Sequence, residues 1–166
     1  MKIGLVGRTV TIVTLAILLG PQARLRAEGQ QAAPSAESAL SIPKVDLIQP
    51  VELNRLLHAR GTQKPLIVQV GFRMLFAEAH IPGSEYAGPA ARPDGLNQLR
   101  QRVQRLKRST FIVIYCGCCP WNHCPNMGPA FHLLQSLGFT HVRALYLPDN
   151  FGADWVNKGY PAVRGQ

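Results

Sequence analysis

Outside the nine residues from Cys116 to Cys124 this chain of 166 residues contains no cysteine. That absence excludes a disulfide framework tying distant segments together, and it excludes a zinc site built from two separated cysteine knuckles. Acidic side chains are also scarce, nine against eighteen lysines and arginines. No apolar run approaches the roughly 20 residues that cross a bilayer, and there is no internal repeat. Between Cys116 and Phe139 there is neither an arginine nor a lysine. Phosphate or arsenate recognition by that segment would want a bidentate guanidinium beside backbone donors, so both chemistries lose support.

The amino terminus carries a different signal. Lys2 and Arg8 form a basic start, Thr9 to Gly20 is uncharged and mostly apolar, and Pro21 to Ala27 is small and basic. Residues 1–27 therefore read as a secretory signal peptide, with cleavage expected after Ala27 and Ala23 as the competing position. The shortness of the apolar run argues against a retained anchor. There is no cysteine near the boundary to carry a lipid and no Arg-Arg pair. Cleavage takes away Lys2, Arg8, Arg24 and Arg26 and lowers the formal charge from +9 to +5. Nucleic acid is then an unnecessary partner, and no membrane contact is expected of the mature chain. The expected location is periplasmic or secreted, an oxidising setting in which clustered thiols must be kept reduced, bound or cycled. Residues 28–42 are rich in Ala, Ser, Gln and Glu without apolar periodicity and are expected to be a flexible linker. Residues 43–166 suffice for one domain.

Within that domain strand and helix patterns alternate. Val45 to Ile48 reads as a short strand, and a helix opens at Pro50, with Glu52 in its first turn, and closes at Gly61. Pro65 to Val70 is a buried strand, Phe72 to Ala79 is helical, and His80-Ile-Pro-Gly83 is a turn. From Asp94 to Lys107 a helix places Leu96, Leu99, Val103 and Leu106 on one face and its basic residues on the other, a solvated face rather than a binding patch. Phe111 to Tyr115 is the next strand, then a helix from Pro129 to Leu137, a strand from His141 to Tyr146 and a short helix from Phe151 to Lys158. Such alternation implies an α/β sandwich with a largely parallel central sheet. Ligands gather at the carboxyl ends of the strands in that architecture, and the cysteine run begins at one of those ends. Backbone amides and the positive end of a following helix favour a thiolate at a strand-to-helix turn.

Five separated segments resemble single-domain rhodaneses: Leu66-Ile-Val-Gln-Val70, Ala79-His-Ile-Pro-Gly-Ser84, Ile112-Val-Ile-Tyr-Cys116, Leu137-Gly-Phe139 and Asp154-Trp-Val-Asn-Lys-Gly-Tyr-Pro161. The resemblance implies a rhodanese-like three-layer sandwich, with the sheet flanked by helices on both sides. It also implies a sulfurtransferase-type activity in which Cys116 carries sulfane sulfur as a persulfide, taken from a thiosulfate-like or persulfide donor and given to a thiol acceptor. No cofactor is needed for that. The chain departs from the family in a loop longer by roughly five residues, in having no loop arginine, and in Gln69 and Gly71 where many relatives carry an acid and an arginine.

The extended loop, Cys116-Gly-Cys-Cys-Pro-Trp-Asn-His-Cys124, suggests further roles. Cys118, Cys119 or Cys124 would resolve a Cys116 persulfide or trap an oxidised Cys116 as a disulfide, with a periplasmic redox partner restoring the thiols. His123 is the acid/base candidate, its ordinary pKa lying near neutrality. Arg73, at the carboxyl end of its strand, is the candidate anion contact. Trp121 reads as a loop anchor, and Phe131, Leu133, Leu134 and Trp155 as core. Two alternatives stand beside sulfur transfer. In one, Cys116, Cys119, His123 and Cys124 form a soft-ligand set for Zn or Cu(I). In the other, a disulfide from Cys118 or Cys119 to Cys124 staples a non-catalytic scaffold.

Overall fold

Five short strands make one sheet, and the alternation of their side chains decides what lies above and below it. The strands are β1 (Leu47–Ile48), β2 (Leu66–Gln69), β3 (Glu85–Tyr86), β4 (Ile112–Tyr115) and β5 (Val142–Leu145), in the order β1-β5-β4-β2-β3. All four pairings are parallel, as the alternating sequence pattern implies. The computed structural model describes residues 42–61 and 63–165. The signal-peptide reading of residues 1–27, and the linker reading of 28–42 apart from Ile42, lie outside the described residues.

Central β4 is buried at every position, as expected for a parallel strand covered on both faces. Successive side chains point to opposite faces. Ile112 and Ile114 therefore enter one core with Leu99 and Val103 of α3 (Pro93–Val103) and Ala130, Phe131 and Leu134 of α4 (Met127–Ser136). Val113 and Tyr115 enter the other with Leu53 of α1 (Pro50–His58), Phe151 of α5 (Phe151–Asp154) and Trp155. The remaining helix, α2 (Arg73–Glu78), follows β2. Helices on both faces of the sheet give the three-layer sandwich.

Several boundaries differ from the sequence reading. Val45 is exposed in a 3-10 turn, Lys44–Asp46, because Asp46 N–H donates to Pro43 O at 2.9 Å, so β1 keeps only two residues. The first helix stops at His58, where Ala59 is already extended. The basic helix stops at Val103, although Leu106 still packs on the core. Edge strand β3 was not anticipated, since two residues carry no periodicity. The last helix breaks at the buried Trp155, whose indole N–H donates to Pro161 O at 2.8 Å, and continues as a 3-10 turn, Val156–Lys158. One close approach fixes α3: a Cβ on Gly95 would lie 2.1 Å from Pro89 O, so only glycine lets the helix rest on that backbone.

Candidate active site

Cys116 is the first residue beyond β4 and, by alternation, continues the face of Ile112 and Ile114, buried in their core. The next residue turns the chain out of the sheet. Gly117 has φ +68°, and a Cβ there would lie 2.5 Å from Phe151 Cβ, so the position requires glycine on two counts. The loop then folds back through a 3-10 turn, Trp121–His123. Trp121 anchors that turn as expected: it is buried, its backbone N–H donates to Pro148 O at 3.0 Å, and its ring meets Tyr146 edge-on with centroids 5.3 Å apart. Folding back buries Cys124 behind Cys116.

The sulfurs lie in a chain of contacts. Cys116 Sγ is 3.1 Å from Cys118 Sγ, and Cys118 Sγ is 3.1 Å from Cys119 Sγ, all four cysteines being free thiols. The sulfurs of Cys116, Cys118 and Cys124 all lie within 4.8 Å of one another. Cys119 donates to His123 O at 3.6 Å, and the His123 residue is exposed. The group the fold gathers thus contains Cys118 and differs from the set Cys116, Cys119, His123 and Cys124 considered from sequence.

Three neighbours shape the space around Cys116. A Cβ on Gly71 would fall 2.8 Å from its sulfur, so this glycine, one of the departures from the family pattern, makes room for it. The other departure, Gln69, is buried; its Oε1 accepts from Gly71 N–H at 3.2 Å and its Nε2 reaches Cys116 O at 3.5 Å. Asn126, fully buried and without a signal in the sequence, also faces the Cys116 sulfur. Its Oδ1 accepts from Ala91 N–H at 2.9 Å, which turns Nδ2 toward the sulfurs of Cys116 (3.3 Å) and Cys118 (3.8 Å).

Hydrogen bonds among the clustered thiols favour the thiolate form of Cys124 over that of its neighbours. Hydrogen bonds from Cys116 and then Cys118 lower its pKa to about 3 against the effect of burial, and the backbone N–H groups of Asn126 and Met127 add to them. At Cys116 the hydrogen bond with Cys118 pulls down, but the bond to Cys124, burial and the Cys124 charge outweigh it and push the thiol up to about 12. Cys118 is raised through its bonds to Cys116 and Cys124 and by burial, and Cys119 is raised chiefly by burial. The dipole argument from sequence had placed the favoured thiolate at Cys116. The long loop is the reason for the difference: the first amides of α4 meet Cys124, eight residues closer to that helix than Cys116 is.

A cavity of about 700 Å³ opens over the cluster, with Cys116, Cys118 and Cys119 in its wall and the charged residues Glu78, Asp149 and Arg164 around it. Arg73 is not among the lining residues; its guanidinium lies 4.5 Å over the Tyr86 ring. Arg164 does line the cavity. An antiparallel bridge between His80 and Val163, with His80 N–H donating to Val163 O at 2.9 Å, brings it there.

No protein-family model and no curated protein matches the chain. Solved structures do. The BH2092 protein of Bacillus halodurans superposes with a TM-score of 0.56 at 19% identity, over 73% of this chain and 79% of that one. The Alr3790 protein of Anabaena sp. gives 0.54 at 22%, over 71% of this chain and 92% of its own. A solution structure of the rhodanese-like domain of Alr3790 gives 0.53 at 23%, over 72% and 79%. These likenesses show the rhodanese-like fold.

Proposed function

We propose that this chain is an exported sulfurtransferase-type thiol protein in which Cys116 carries sulfane sulfur as a persulfide. The observation that carries the reading is the setting of one sulfur. Cys116 Sγ stands at the carboxyl end of the central strand, in the wall of the cavity, between the space left by Gly71 and the amide donor of Asn126. The fold likeness agrees with this reading, and the amino-terminal sequence supports export.

In the first step the Cys116 sulfur attacks the sulfane sulfur of a thiosulfate-like or persulfide donor. A new S–S bond forms, the donor's S–S bond breaks, and sulfite or a thiolate leaves with the electron pair while the Cys116 proton passes to the Cys124 thiolate, to which Cys116 is hydrogen-bonded. The Asn126 side-chain N–H and the backbone N–H of Cys118 stabilise the anionic sulfur, the part an oxyanion hole plays elsewhere. An external thiolate then takes the outer sulfur and restores Cys116. Cys118, 3.1 Å away, offers a second exit: it attacks the inner sulfur, closes a Cys116–Cys118 disulfide and expels hydrosulfide. Two electrons from a dithiol redox partner reopen that disulfide.

The test is to offer thiosulfate or a small persulfide to the reduced protein and to map the gained sulfur by peptide mass. Sulfur is expected on Cys116, and Cys116→Ser is expected to gain none. A label that stays on Cys119 or Cys124 in Cys116→Ser overturns the assignment.

A further inference from the structure

The loop gathers three sulfurs where one suffices to carry a persulfide. We propose that Cys116, Cys118 and Cys124 form a binding site for one soft monovalent cation of the Cu(I) class. Their sulfurs lie within 4.8 Å of one another. Three sulfurs around one ion at a metal–sulfur distance of about 2.3 Å stand about 4 Å apart. Cys116 and Cys118, now at 3.1 Å, need to separate by only about 1 Å. Cys118 is half-exposed and follows Gly117, so it has room to move.

The number and kind of ligands select the cation. Zinc sites complete a tetrahedron, whereas thiolates in small number suit Cu(I). Among the described residues no fourth ligand atom joins the three. Cys119 Sγ touches Cys118 Sγ at 3.1 Å and also donates to His123 O, but it stands outside the group of three, and Asn126 offers the group only N–H donors because its oxygen is held by Ala91 N–H. Those donors suit an outer shell: Nδ2 of Asn126 reaches the sulfurs of Cys116 and Cys118, and the backbone N–H groups of Asn126 and Met127 face Cys124. Access is also provided. Cys116 and Cys118 line the cavity, Cys124 closes the group from behind, and the carboxylates of Glu78 and Asp149 stand beside Arg164 in the cavity wall.

Binding exchanges the remaining sulfur protons for metal–sulfur bonds. The protons leave to water, and neither the metal nor the sulfurs change oxidation state. Because the ion occupies Cys116, metal binding and sulfur loading exclude each other. The inference does not depend on the sulfur-carrier reading, with which it shares only that residue.

The experiment is an anaerobic titration of the reduced protein with Cu(I) against a competing Cu(I) chelator, with X-ray absorption on the complex. One equivalent is expected, with three sulfur neighbours and no nitrogen. Cys118→Ser and Cys124→Ser should each lose more than the roughly 100-fold in affinity that a missing outer-shell partner costs. Cys119→Ser and His123→Ala should bind as the wild type does. The wild-type absorption spectrum decides the matter even where a serine variant fails to fold. A nitrogen neighbour, full affinity in folded Cys118→Ser or Cys124→Ser, or a zinc complex tighter than the copper complex overturns the proposal. Wild-type protein that loads sulfur yet binds no Cu(I) removes this inference and leaves the sulfur reading standing. Protein that binds Cu(I) yet never loads sulfur does the reverse.

Discussion

Asn126 faces Cys116 with the donor end of its amide, Nδ2 to Sγ 3.3 Å, because the other end is already held by the backbone of Ala91. On the proposed function this amide is the donor for the sulfur of Cys116, in a loop that has no arginine. Asn126→Asp keeps the acceptor for Ala91 and removes the donor. Sulfur loading is expected to slow by about 100-fold, the cost of losing one donor from an oxyanion-type site. Single-turnover loading measured beside a thermal melt checks this; an unchanged rate in folded protein removes Asn126 from the site.

Gly71→Ala probes the space beside the same sulfur. The added methyl falls 2.8 Å from Cys116 Sγ and 3.2 Å from Gln69 Nε2, so the sulfur or the amide has to shift. Loading should fall well below wild type, with a stability loss of about 1–3 kcal/mol. Wild-type loading kinetics would show that the sulfur moves aside freely.

Gly95→Ala is the contrasting case, far from the thiols in its effect. A methyl 2.1 Å from Pro89 O meets backbone rather than a movable side chain. Urea unfolding should show a loss of at least about 2 kcal/mol, while the folded fraction loads sulfur at the wild-type rate. Unaltered stability would mean that α3 is free to slide off that backbone.

Trp121→Ala tests whether the anchor keeps Cys124 covered. With the ring gone from beside Tyr146, alkylation of Cys124, followed by peptide mass, should accelerate by about tenfold or more through local opening of the loop. Equal labelling rates would assign the burial of Cys124 to the rest of the core.

Terminal sequencing of the exported protein decides the reading of its amino terminus. A mature chain beginning at Glu28 is expected, and an intact Met1 in a membrane fraction would favour an anchor.

What could be read from the sequence followed the strength of local pattern. Ile112-Val-Ile-Tyr115 is apolar on both faces, and only a covered central strand accounts for that, so the position of Cys116 at a strand end was legible. Glu85–Tyr86 is too short to have a period and becomes a strand only through pairing with β2. Asn126 left no signal because its role depends on a contact with Ala91, 35 residues earlier. Arg73 and Arg164 exchanged places for a similar reason. Position after β2 pointed to Arg73, while Arg164 reaches the cavity through a bridge between His80 and Val163, a long-range pairing with no local trace.

Ile112, Ile114 and Cys116 share one side of β4, and Val113 and Tyr115 share the other. The address of the thiol is therefore a matter of parity. Loss of a single residue between 112 and 115 would turn the sulfur toward Phe151 and Trp155 and away from Asn126, whatever the loop beyond it contained. The segment after Gly117 is under no such rule: it can gain or lose residues wherever Trp121 still reaches Tyr146.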